Sequence, residues 1–113
     1  MVPTEAEEGR ALVAFLRIKG YTFTHIANET GSGQGASFQG IRNKQQGTSK
    51  GFPDYLIITK SNKLIAVELK RLKGSNTSAE QKEWILRLNM AGVQARVCKG
   101  ATEAIEFINE LEG

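Results

Sequence analysis

The 113-residue sequence predicts an α/β protein, a mixed β-sheet flanked by helices in the order α-β-β-β-α-β-α. Three observations lead there. Short runs of β-branched and aromatic residues alternate with segments of helical period. The helical segments open on residues suited to capping and close on glycine. The runs at 53–59 and 63–72 are joined by a tight turn, which forces that pair antiparallel, while helical crossovers allow parallel pairing elsewhere.

Residues 4–19 read as the first helix: Thr4 stands at the N-cap, acids fill the first turn, and Ala11, Leu12, Phe15 and Leu16 form an apolar stripe up to Gly20. Tyr21–Ala27 reads as a strand. The Gly-rich NETGSGQGASFQG that follows has no clear period and reads as a loop or as a segment ordering on binding. A helical turn is expected over residues 41–46, then the flexible QGTSKG. After the 53–59 and 63–72 pair, a helix starts at Thr77 or Ser78, and either choice makes a capping box with Glu80 or Gln81. It ends near Gly92. Val93–Cys98 is a short strand, and a last helix runs from about Thr102 to Leu111 with Ala104, Ile105, Ile108 and Leu111 inward.

With 40% apolar and 24% charged residues, the chain has the composition of a soluble globular domain, and residues 1–113 are expected to form one. No apolar stretch approaches membrane-spanning length, and MVPTEAEEGR lacks a secretory pattern, so a cytoplasmic protein without membrane partners is expected. Cys98 is the sole cysteine and reads as a small buried hydrophobe; no Cys or His cluster suits zinc. GSGQG lacks the GK[ST] of a nucleotide-phosphate loop, so no nucleotide cofactor is expected. The net charge is only +3, yet residues 9–100 hold all fifteen Lys and Arg against five acids. That basic interior suits a polyanion, with nucleic acid the leading candidate.

The chemistry concentrates in GFPDYLIITKSNKLIAVELKR, residues 51–71. Side chains alternate along a strand, so Glu68 and Lys70 share a face with Ala66, while Ile65, Val67 and Leu69 fill the other. A two-residue turn at Ser61-Asn62 would place Asp54 opposite Leu69, on the wrong face. An odd-numbered loop or a bulge places it opposite Glu68, and that arrangement is expected. Paired carboxylates repel unless a cation joins them, and Mg²⁺ takes carboxylate oxygens while retaining waters. Asp54 and Glu68 are thus the candidate metal ligands, with the Leu69 carbonyl a further one, and Lys70 would position or deprotonate the attacking water, or neutralise charge on the transition state. An isolated E-x-K is more often a surface ion pair. Here, Asp54 is the only Asp of the chain, directly follows Pro53, and lies one hairpin away from Glu68.

Pro53-Asp54 with Glu68-Leu69-Lys70 resembles the motif of the PD-(D/E)xK nuclease superfamily. More narrowly, the KGFPDYLII and LIAVELKR strands and the SAEQKEWILRLNMAG helix resemble a stand-alone VRR-NUC domain of viral or bacterial type. The resemblance implies a restriction-endonuclease-like fold and a Mg²⁺- or Mn²⁺-dependent DNA endonuclease. It also implies a homodimer akin to Holliday junction resolvases, acting on branched DNA in the cytoplasm (the host's, if viral). The family's helical glutamine matches Gln81, which shares a helix face with Trp84, Ile85 and Leu88; it serves the site, the cap, or both. The family's helix-one glutamate falls on Glu5, Glu7 or Glu8, and Glu8 is preferred because it lies one turn before Leu12. Gly9 stands where relatives often carry a larger residue.

Arg42, Lys44 and Lys50, which precede the Asp54 strand, and Arg71 and Lys73, which follow the Glu68 strand, are candidates for phosphate contacts. Asn28 and Glu29 suit either substrate contact or a turn. The lone His25 reads as structural. Two alternatives stand beside junction cleavage: a flap or duplex-end nuclease of the same fold, and a DNA-binding module that does not cleave.

Overall fold

The structure, a computed structural model, describes residues 1–26, 46, 47 and 49–113. Asn28, Glu29, Arg42, Lys44 and residues 41–45 of the expected helical turn lie outside the described residues. Seven elements follow in order: α1 (Glu5–Lys19), β1 (Thr22–His25), β2 (Tyr55–Ile58), β3 (Leu64–Lys70), α2 (Ala79–Met90), β4 (Gln94–Lys99) and α3 (Gly100–Glu112). The strands form one sheet in the order β1-β2-β3-β4, antiparallel through β3 and parallel between β3 and β4. This is the mixed sheet flanked by helices that the sequence predicts.

The β2–β3 hairpin sets the geometry of everything around it. Thr59 N donates to the Lys63 carbonyl at 3.0 Å, so three residues, Lys60 to Asn62, make the turn. Asn62 closes it in the left-handed region at φ 64°, a conformation Asn tolerates better than most residues. The Thr59 hydroxyl accepts from Lys63 N as well. The odd count pairs Tyr55 with Val67 and Leu56 with Ala66. One step further, Asp54 stands opposite Glu68, as the spacing requires.

The core lies on one side of the sheet. Leu12 and Leu16 of α1, Ile57, Ile65, Val67, Leu69 and Cys98 of the sheet, and Ala104 and Ile108 of α3 are buried together. Strand β3 is buried from Ile65 to Leu69 because it is central and both its faces are covered. The covering on the second face is thinner. Helix α2 has no buried residue, although Trp84, Ile85 and Leu88 reach inward as the period predicts.

The helix ends explain themselves locally, with one exception. Thr4 and Glu7 exchange hydrogen bonds in a capping box, and Ser78 and Gln81 do the same at α2. Val93 N donates to the Leu88 carbonyl beyond Gly92, closing α2 in a Schellman arrangement. Helix α3 begins at Gly100, two residues before the expected Thr102. Its Lys99 N-cap makes no side-chain bond, and the capping acceptor is instead the Glu8 carboxylate of α1, which accepts from Ala101 N at 2.9 Å. Among the described residues, no helix is long and apolar enough to cross a membrane.

Because Leu12 is fully buried and Leu86 half exposed, their truncations should separate sharply. Leu12→Ala is expected to cost about 2–5 kcal/mol in urea unfolding. Leu86→Ala should stay within about 0.5 kcal/mol. Equal costs would contradict a core confined to the α1–α3 side.

Candidate active site

Residues 51–54 enter β2 beneath the start of α2, and their fit there positions Asp54. Gly51 has φ 88°, which only glycine adopts freely. A Cβ at Gly51 would lie 2.7 Å from Gln81 N and from the Glu80 carbonyl carbon, so the chain passes against the helix backbone. Phe52 then packs edge-on against Trp84, with ring centroids 4.9 Å apart. After buried Pro53, the Asp54 Oδ2 accepts from Leu69 N at 2.9 Å, anchoring the carboxylate to the end of β3.

Glu68 faces it from the facing strand and is only 3% exposed. Its Oε2 accepts from Gln81 Nε2 at 3.1 Å and lies 3.4 Å from Lys70 Nζ. Its Oε1 is buried and, among the described residues, has no hydrogen-bond partner. A carboxylate so placed is costly to ionise. Burial first, and then the negative charge of Asp54, push the Glu68 carboxyl up to about 8, against the opposing pull of the Lys70 ammonium.

Gln81 does both jobs the sequence left open. Its amide oxygen accepts from Ser78 N at 2.9 Å to complete the capping box, and its amide nitrogen holds Glu68. The side chain therefore has no freedom to turn away, and the cap of α2 becomes part of the site. Lys70 is 11% exposed along its side chain, buried enough for its charge to act strongly on Glu68.

The three acids of α1 take separate roles. Glu8 is the buried one, as helical phase requires, but the contact the structure shows is with the N-terminus of α3, where a carboxylate complements the helix dipole. Glu7 is spent on the Thr4 cap, whose hydrogen bonds hold its carboxyl below the usual range. Glu5 lines a groove together with Asp54 and Tyr55. Gly9 gains a reason too: a Cβ there would sit 2.7 Å from the hydroxyl of buried Tyr55, so a larger residue could not occupy this helix position unchanged.

Of the expected phosphate contacts, Lys50 and Lys73 are exposed, and Arg71 is half-buried with its Nε lacking a partner among the described residues. His25 stacks on its cross-strand neighbour Tyr55, with centroids 4.7 Å apart. Cys98 is buried, and its thiol is pushed up to about 12 chiefly by burial, which makes it unreactive.

Among the described residues, no three His, Cys, Asp or Glu side chains converge as a metal cage. The donor set at Asp54 and Glu68 is two carboxylates, one with an unsatisfied buried oxygen. That fits a hard cation such as Mg²⁺, which takes one or two carboxylates and fills its shell with waters and substrate phosphate.

Residues 11–102 match the family model of the VRR-NUC domain, a nuclease-type domain. The chain belongs to the VRR-NUC family. The matched span contains Asp54, Glu68, Lys70 and Gln81 and begins after Glu5, Glu7 and Glu8. The fold is similar to that of a solved VRR-NUC domain protein, with a TM-score of 0.77 at 21% identity over 97% of this chain and 88% of that one. It is also similar to a second solved VRR-NUC domain, with a TM-score of 0.68 at 15% identity over 95% of this chain and 97% of the other. No curated protein matches the chain by sequence.

The strained carboxyl has a measurable signature. A folded value of about 8 against an ordinary 4.5 means that the folded protein holds a proton the unfolded chain has released. The resulting stability is complete below about pH 4.5 and is lost as pH rises through about 8. The metal-free protein should show a falling Tm across that window, and Glu68→Gln should flatten the fall. Parallel Tm profiles for both proteins would show that Glu68 titrates normally.

Proposed function

We propose that this protein is a divalent-metal-dependent, structure-specific DNA endonuclease that hydrolyses phosphodiester bonds at four-way junctions. The observation that carries the reading is the buried Glu68 carboxylate, facing Asp54 with one oxygen unsatisfied and Lys70 alongside. A protein that only bound DNA would gain nothing from setting paired acids where phosphates must approach.

Asp54 and Glu68 would hold Mg²⁺ or Mn²⁺, with the Leu69 carbonyl as a further ligand. When bound, the ion supplies Lewis-acid polarisation of the scissile phosphate and a more acidic water. The protein's own groups do the rest. Gln81 fixes the Glu68 carboxylate in one orientation, and the Leu69 N–H does the same for Asp54. Lys70 places its ammonium beside the reacting phosphate, where it orients the attacking water and neutralises charge building on the non-bridging oxygens. Water adds to phosphorus and its proton passes to solvent, while the bond to the leaving sugar oxygen breaks and that oxygen takes a proton from solvent to leave as a hydroxyl. Glu8 supports this arrangement from a distance by tying α1 to α3.

Junction DNA has a pseudo-twofold axis, and cutting both strands suits a homodimer with two such sites. Purified protein is therefore expected to cut four-way junctions with Mg²⁺ and to stop with EDTA. Lys70→Ala should lose on the order of a hundredfold or more in rate while keeping DNA affinity. Cutting confined to flaps or duplex ends would redirect the substrate assignment. Binding without metal-dependent cutting of any substrate would overturn the endonuclease reading.

A further inference from the structure

A groove of about 540 Å³ runs along α1 and reaches Asp54, with two arginines of the helix in its wall. Arg10, Val13 and Arg17 of α1 and His25 of β1 line it, while Glu5 and Asp54 mark its acidic end. Arg10 and Arg17 are both exposed, and among the described residues neither makes an ion pair. Of the acids that precede it, Glu8 is committed to Ala101 N, and Glu7, which feels the charge of Arg10, is committed to the Thr4 cap.

Helix electrostatics account for part of this only. Arg17 lies in the last turn, where a cation complements the dipole. Arg10 lies mid-helix, beyond the reach of that effect, and shares the groove face with Arg17 through the seven-residue spacing. The aromatic wall is equally deliberate. Tyr55 is buried and covers one side of the His25 ring, while His25 itself is exposed at the groove.

We propose that this groove is the track for one DNA strand leading to Asp54, with Arg10 and Arg17 each holding a backbone phosphate and the His25 ring flanking the strand between them and the acidic end. Seven helical residues rise about 10.5 Å. Two separate phosphates of one strand can thus be held at once, with Val13 lining the groove between the two arginines. The polarity of the groove gives the strand its direction of approach: the cationic stretch grips the flanking backbone, and the reacting phosphate is delivered to the carboxylates. The inference rests on the nuclease reading for its substrate, but it assigns residues that the metal site does not involve.

The test is DNA binding in EDTA, using a labelled single-stranded oligodeoxynucleotide over a range of salt concentrations. Arg10→Ala/Arg17→Ala is compared with wild type and with Lys82→Ala/Arg87→Ala, which removes the same charge from α2. Alanine suits an exposed helix interior, and circular dichroism checks that both variants fold. The groove variant should weaken binding about tenfold at moderate salt, and its salt slope should be shallower by about 1.4, at roughly 0.7 per lost phosphate contact. The α2 variant should change far less. Equal losses in the two variants, or an unchanged slope in the groove variant, would overturn the track. If the groove variant loses binding but wild type cuts nothing with Mg²⁺, the track stands and the nuclease reading falls. A wild type that binds no DNA overturns both.

Discussion

Placing an ionisable carboxyl inside a central strand, opposite a second one, is the constraint on which this structure turns. Strand β3 is buried from Ile65 to Leu69, and Glu68 interrupts what would otherwise be an apolar run. Its unsatisfied Oε1 and its reluctance to ionise are costs that an apolar residue at that position would avoid. The hairpin makes the cost unavoidable, because three turn residues bring Asp54 onto the same face. A cation between the two acids would convert mutual repulsion into attraction, and that is how the proposed function would use the same geometry.

The surroundings hold that geometry from several directions. Gln81 reaches Glu68 only because Ser78 starts α2 where it does, so the helix cap and the orientation of the Glu68 carboxyl are one device. Gly51 lets the Asp54 segment pass against the same helix turn, and the Phe52–Trp84 contact fixes it there. The Leu69 N–H then ties Asp54 to the strand that carries Glu68. Helix α2 buries little of its own surface, so its placement depends on these few contacts more than on a broad core.

What could be read in the sequence was what is local. The 13 residues between Asp54 and Glu68, together with strand alternation, were enough to require an odd turn. An amide on the apolar stripe of Trp84, Ile85 and Leu88 was enough to demand a polar partner for Gln81. Contacts between distant segments left no such trace. Glu8 and Ala101 are 93 residues apart, and nothing near either one announces the other, so the sequence alone points to a start of α3 two residues later than the one observed. The same holds for Gly51 against α2 and for Gly9 under Tyr55, where the need for glycine comes from backbone or a ring brought in by the fold. Nothing in the sequence around Arg10 and Arg17 marks them either, because the opposite wall of their groove comes from His25, Asp54, Tyr55 and Leu69.

Anomalous diffraction from crystals grown with Mn²⁺ tests the central claim most directly. The account expects a strong peak between the Asp54 and Glu68 carboxylates, with Glu68 Oε1 turned toward it, and its disappearance in Glu68→Gln. Saturating Mn²⁺ with no peak at that position, and Glu68 still held only by Lys70 and Gln81, would contradict it.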